Sequence, residues 1–122
     1  MNQFKNLLVW KKGMDLVVEI YAHTEKFPDK EKFGLTNQIN RCAVSIVSNI
    51  AEGAGRNSEK EFNNFLGIAL GSTCELETQL LIASRLKYIE EDTVNKIIKS
   101  IEEIQKMLVG LQKSIRLSIQ TN

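Results

Sequence analysis

The chain has 122 residues, 43% hydrophobic and 25% charged, and its sixteen Lys+Arg nearly cancel fifteen Asp+Glu to leave a formal net charge of +1. That balance fits one folded domain over 1–122 and excludes both a disordered chain and a protein that coats nucleic acid by bulk charge. The opening Met1-Asn2-Gln3-Phe4-Lys5 lacks the apolar stretch of a signal peptide, and no run approaches the roughly 20 apolar residues that cross a bilayer, so a cytoplasmic address and no membrane partner are expected.

The first helical pattern covers about 9–26. Trp10, Met14, Val17, Tyr21 and Thr24 recur at three- and four-residue steps, which predicts that they form the stripe facing the core. Phe27-Pro28 ends this helix, because the residue before proline is pushed out of the α region. A charged segment, Asp29 to Lys32, leads through Phe33-Gly34 to a second helix over about 35–53. Its apolar stripe is Ile39, Cys42, Ala43, Ile46 and Ile50, and Gly53-Ala54-Gly55 closes it.

The third helix is predicted over 58–87. Ser58 is a cap for free backbone N–H groups, and Glu61 stands at the capping-box spacing. Phe62, Phe65, Leu66, Ala69, Thr73, Leu76, Leu80 and Ala83 carry the buried stripe onward. Tyr88-Ile89 make a turn, and Glu90, Glu91 and Asp92 then supply negative charge where a helix N-terminus favours it. In the fourth helix, about 91–118, Ile97, Ile101, Ile104, Leu108, Leu111 and Ile115 repeat as an a/d seam. Nothing reads as a strand. Short connections make neighbouring helices antiparallel, so the pattern predicts an all-α, up-down-up-down four-helix bundle, with a three-helix core and one docked helix as the alternative.

No catalytic constellation can be assembled. The single histidine, His23, follows Glu19 by one turn, and a di-iron bundle would need Glu-x-x-His motifs on two helices. Cys42 and Cys74 lie inside apolar helical patterns and read as buried free thiols; zinc would require two further soft ligands at close spacing. Gly53-Ala54-Gly55 follows a helix, whereas phosphate-cradling loops follow a strand. The expectation is therefore no metal, no cofactor and no enzymatic activity.

Two surface features remain. A polar stripe on the second helix, Arg41, Ser45, Ser48, Asn49, Glu52 and Arg56, faces a similar series of Ser72, Glu75 and Thr78 or Gln79 on the third. It reads as a solvated face, as a ligand site, or as a structural polar layer of Ser45, Ser48, Asn49, Glu52, Ser72 and Glu75 that fixes helix register. An up-down-up-down bundle also gathers Lys5, Lys11, Lys12, Arg56, Lys60, Lys113 and Arg116 at one pole, against Asp15, Glu52, Glu59 and Glu61. This pole, together with Arg41, is the expected contact for RNA or DNA phosphates, multiplied if copies stack in parallel around a ring. The alternative is a protein-interaction or assembly module that uses leftover apolar surface such as Phe4, Leu7, Leu8, Ile89 and Leu117.

The run Gln38-Ile39-Asn40-Arg41-Cys42-Ala43-Val44-Ser45-Ile46-Val47-Ser48-Asn49-Ile50-Ala51-Glu52-Gly53 resembles the signature of the bacterial four-helix-bundle proteins encoded in intervening sequences of large-subunit ribosomal RNA genes. Flanking segments agree, among them Phe27-Pro28, Phe33-Gly34-Leu35, Glu61-Phe62 and Glu75-Leu76-Glu77-Thr78, so the likeness spans about Val9 to Tyr88. The resemblance implies a bundle that assembles as a ring-shaped homopentamer. It also implies kinship with the accessory variability determinant of diversity-generating retroelements, which binds nucleic acid and a reverse transcriptase. The implied partners are further copies of the chain, RNA or DNA, and a protein. Two positions depart from the family pattern: Asn40 stands where a second arginine is common, and Val47 where proline is common. The first weakens a carried-over nucleic-acid role, and the second predicts a straighter second helix.

Overall fold

The computed structural model describes residues 3–121. Among these it has four helices and no strand: α1 (Leu8–Thr24), α2 (Leu35–Ala54), α3 (Glu59–Arg85) and α4 (Glu91–Thr121), with 3-10 turns at Phe4–Asn6 and Asp29–Glu31. Each helix packs on its neighbour in the chain and α1 closes the square against α4, while the backbones of the diagonal pairs α1/α3 and α2/α4 stay further apart. The α2/α3 seam is the thickest and the α1/α4 seam the thinnest. The chain is thus a four-helix bundle.

The apolar stripes of α2, α3 and α4 face inward as the sequence periodicity requires. Ile39, Ile46, Ile50, Leu66, Leu76, Leu80, Ile97, Ile101, Ile104 and Leu108 are all essentially removed from water, each contributing on the order of 1.5–3 kcal/mol of transfer free energy. Phe65 and Leu111 are half-buried at the edge of this core.

The first helix is turned relative to expectation. Its buried residues are Val9, Gly13, Leu16, Ile20 and Thr24, while Met14 and Tyr21 are exposed and Trp10 and Val17 half-buried. The reason is a close approach at Gly13, where an added Cβ would lie 2.6 Å from Val47 Cγ1. Only a residue without a side chain lets α1 descend onto α2 there, and the descent fixes which face of α1 is inside. Further along, Thr24 donates to Asn40 Oδ1 at 2.8 Å, so the residue standing in place of an arginine ties α1 to α2. Helix α1 also ends two residues early, as i→i+3 bonds from Lys26 to His23 and from Phe27 to Thr24 tighten its last turn ahead of Pro28.

The ends of α3 are both capped. Ser58 Oγ accepts the Glu61 backbone N–H at 3.2 Å, and its hydroxyl in turn reaches the Glu61 carboxylate at 3.3 Å. At the other end Lys87 adopts a left-handed conformation, φ 67°, with the Tyr88 N–H returning to Ala83 O. By length and composition α3 alone among the described helices could cross a membrane, but its buried stripe is spent on the bundle core.

A latch joins the two connections at the far end of the bundle. Glu31 accepts the Leu35 N–H at 3.1 Å on one carboxylate oxygen and the Tyr88 hydroxyl at 2.9 Å on the other. The Tyr88 ring leans on Phe27 with centroids 5.6 Å apart. The Leu35 N–H and then the Tyr88 hydroxyl hold the Glu31 carboxyl below its ordinary 4.5, while the carboxylate pushes the Tyr88 phenol up.

Two outcomes test this packing. Gly13→Ala is expected to destabilise the fold by about 1–3 kcal/mol in urea unfolding, and Val47→Ala in the same chain to recover part of the loss. Because the folded-state value of Glu31 is lowered, its contribution is complete above the ordinary carboxylate range and lost as pH falls through the lowered value. Thermal stability should therefore fall on acidification below about pH 4.5, and Glu31→Gln should flatten that limb.

Candidate functional site

Three surfaces carry the residues singled out from the sequence. The first is a groove between α2 and α3 of about 530 Å³, lined by Asn37, Gln38, Arg41, Cys42, Ser45, Ser72, Glu75 and Gln79. On its floor the Ser45 and Ser72 hydroxyls meet at 3.0 Å, and Asn49 Nδ2 donates to the Ser45 hydroxyl at 3.0 Å and to its backbone carbonyl at 2.8 Å. The Cys42 thiol donates to Ser72 O at 3.1 Å. Burial, and then the neighbouring Glu75 carboxylate, push that thiol up to about 12, so it stays protonated and unreactive. Glu75 accepts a long bond from Gln79 Nε2.

The six residues expected to form one polar layer therefore divide. Ser45, Asn49 and Ser72 are joined at the α2/α3 seam, Glu75 stands on the groove wall, and Ser48 and Glu52 face water. A second polar contact, between α3 and α4, had no signal in the periodicity: Gln105 Nε2 donates to Thr73 Oγ1 at 3.1 Å.

The second surface is the cationic one, and its members separate along the bundle. Helix α1 meets α4 at mid-height, where Lys12, Asp15 and Glu19 share a pocket with Ser100 and Glu103 and Lys12 pairs with Glu103 at 2.6 Å. Helix α4 thus runs on for roughly 20 Å past the start of α1. Lys11 and Lys12 stand beside the middle of the bundle, whereas Lys113 and Arg116 lie on the overhang, next to the start of α3 that carries Lys60. Arg56 pairs with Glu52 at 3.4 Å and lies over the Phe65 ring at 4.8 Å. Arg41 belongs to the groove, about 20 Å along α2 from the end where Arg56 follows. Lys60, Lys113 and Arg116, with Arg56 at the end of α2, remain as a basic end.

The third surface is apolar. Met14, Val18 and Tyr21 follow one another at helical spacing up the outside of α1, and Val18 is 69% exposed. Val44 is exposed on α2. At the upper end of this face lies a shallow hollow of about 500 Å³ between the two helices, walled by Val18, Tyr21, Ala22 and Thr36, with Glu25 at its edge. Close by in the chain, Phe33 projects from the α1–α2 connection at 88% exposure. Of the apolar residues expected outside the bundle, Leu8 and Leu117 are exposed, whereas Phe4, Leu7 and Ile89 pack against the core. Of the stripe expected to face the core, Thr24 is buried and Trp10 and Val17 pack against the core, whereas Met14 and Tyr21 lie outside with Val18.

Among the described residues no group of three or more His, Cys, Asp or Glu is placed to hold a metal ion. His23 is half-buried near the end of α1.

Residues 5–110 match the family model of the 23S rRNA-intervening sequence protein. The chain belongs to that family. It is also similar to a protein of unknown function from the S23 ribosomal protein family of Bacteroides thetaiotaomicron, whose crystal structure shares 31% identity over 87% of this chain and 96% of that one, with a TM-score of 0.80. No functionally curated protein matches. Neither the intervening sequence protein family nor this relative has an established molecular function, and nothing in either points to catalysis.

Proposed function

We propose that the chain is a non-enzymatic cytoplasmic subunit that self-assembles, as a ring-shaped homopentamer, through the apolar face of α1 and α2. The observation that carries this reading is the row of Met14, Val18 and Tyr21 outside α1, with Val44 beside it on α2. A bundle this small has a full core without these side chains, so their contact with water is a cost that a partner surface removes. The stripe sits on helices, which hold it rigid and lower the entropy lost on docking. The pentamer comes from resemblance to the intervening sequence proteins. Light scattering at micromolar concentration is expected to give about five times the 13.8 kDa chain mass. Val18→Glu should reduce it toward the single chain without loss of helicity, and a wild-type mass of one chain overturns the proposal.

A second reading has its own observation. Lys60, Lys113 and Arg116 cluster at one end, and none of them forms an ion pair among the described residues. Repeated around a ring, that end would present a positive rim to RNA or DNA phosphates. The matched family and the relative both carry ribosomal terms in their names, which fits this direction. Fluorescence polarisation with structured RNA is expected to show binding that weakens steeply with salt and drops with Lys113→Glu/Arg116→Glu; affinity indifferent to salt counts against it.

A further inference from the structure

Three buried side-chain oxygens among the described residues lack a hydrogen-bond partner, on Thr36, Asn63 and Gln79. Of these residues Gln79 alone is more than nine-tenths buried, at 8% exposure, and it lines the polar groove between α2 and α3. An acceptor taken out of water without a donor costs stability, and at the wall of a groove the missing donor can come from a ligand. We propose that this groove binds the zwitterion of a polar, uncharged α-amino acid, with Arg41 on its carboxylate and Glu75 and Gln79 on its ammonium.

The two charges needed for such a ligand stand on facing walls. Arg41 comes from α2 and Glu75 from α3, and neither forms an ion pair among the described residues. The Glu75 carboxylate lies near enough to the Cys42 thiol on the groove floor to help hold its proton, so it leans inward. A guanidinium takes a carboxylate through two parallel bonds, and an ammonium brings three donors to a carboxylate and an amide oxygen. Gln79 Nε2 spends only a long bond, 3.4 Å, on Glu75. An arriving ammonium displaces it, and a half-turn of the amide then gives Oε1 its donor. Beneath them the Ser45 and Ser72 hydroxyls meet at 3.0 Å, and since either can be the donor the pair adapts to what lies above it.

The same lining argues against other ligands. No aromatic ring borders the groove, so a nucleobase has nothing to stack on. A single guanidinium facing a carboxylate repels a polyphosphate as much as it attracts one. The exposed amides of Asn37 and Gln38 both donate and accept, which matches an amide or hydroxyl side chain. The volume, about 530 Å³, falls within the range of small-molecule sites.

Proton–nitrogen correlation NMR of the full chain, titrated with L-glutamine, tests the site. Saturable shifts are expected at the groove amides of α2 and α3. Blocking either end of the probe, as N-acetyl-L-glutamine or L-glutaminamide, should weaken binding by about tenfold or more, since each loses a charge-assisted contact. Arg41→Gln and Glu75→Gln, both at exposed positions, should do the same while thermal unfolding stays that of the wild type. Gln79→Met keeps the unbranched shape and removes the unpartnered oxygen. The free variant is expected to be at least as stable in urea while its binding weakens, a combination that a purely structural glutamine would not give. The proposal is overturned by no shift at millimolar L-glutamine, by shifts outside the groove, by blocked probes that bind as well as the parent, or by a Gln79→Met chain that binds as the wild type does. None of these readouts depends on the self-assembly proposed above.

Discussion

The α2/α3 seam sets the geometry of everything else in the bundle. A small residue lets the two backbones approach there: an added Cβ at Gly53 would come within 2.6 Å of Phe65 Cβ. Close approach is only useful if the register is single-valued, and apolar side chains alone tolerate sliding by a turn. The Ser45–Ser72 contact, joined by Asn49 and flanked by the Cys42 thiol on Ser72 O, favours one register because a slip would break these half-buried bonds together. With α2 and α3 locked, the levels of the α1–α2 connection and the α3–α4 turn are fixed, and Glu31 and Tyr88 can find each other across them.

Much of this architecture was legible in the residues. The stripes on α2, α3 and α4 have one dominant apolar face each, and the Ser58 cap marks the start of α3 to the residue. Helix α1 was ambiguous for a physical reason. It carries two interleaved apolar rows, Val9, Leu16 and Ile20 facing the core and Trp10, Met14, Val17 and Tyr21 turned partly or wholly away from it, and periodicity cannot choose between them. The choice is made by Gly13 against Val47, a contact between helices that no local pattern encodes. A glycine within a helix that otherwise needs none was the available signal.

The candidate surfaces were less legible, for related reasons. A polar stripe at helical spacing states which residues share a face, not how that face divides between a neighbouring helix and water; Ser45 and Ser48 differ only by a turn's rotation and end in different environments. The expected basic pole placed the start of the first helix level with the end of the fourth. With α1 at 17 residues against 31 in α4, Lys11 and Lys12 are carried away from Lys113 and Arg116. The Glu31–Tyr88 bond joins residues 57 apart, beyond the reach of any pattern along the chain.

The unequal fates of the two thiols have a practical side. Both were expected to be buried; Cys42 is, with its proton tightly held, whereas Cys74 is exposed at the α3/α4 edge, where Gln105 Nε2 reaches its sulfur, because the apolar stripe of α3 passes through Thr73 and Leu76 instead. A maleimide at neutral pH therefore meets one reactive sulfur per polypeptide, at a defined position on a rigid helix. The native chain already contains a unique attachment point for a dye or spin label, so counting chromophores per particle needs no engineered cysteine.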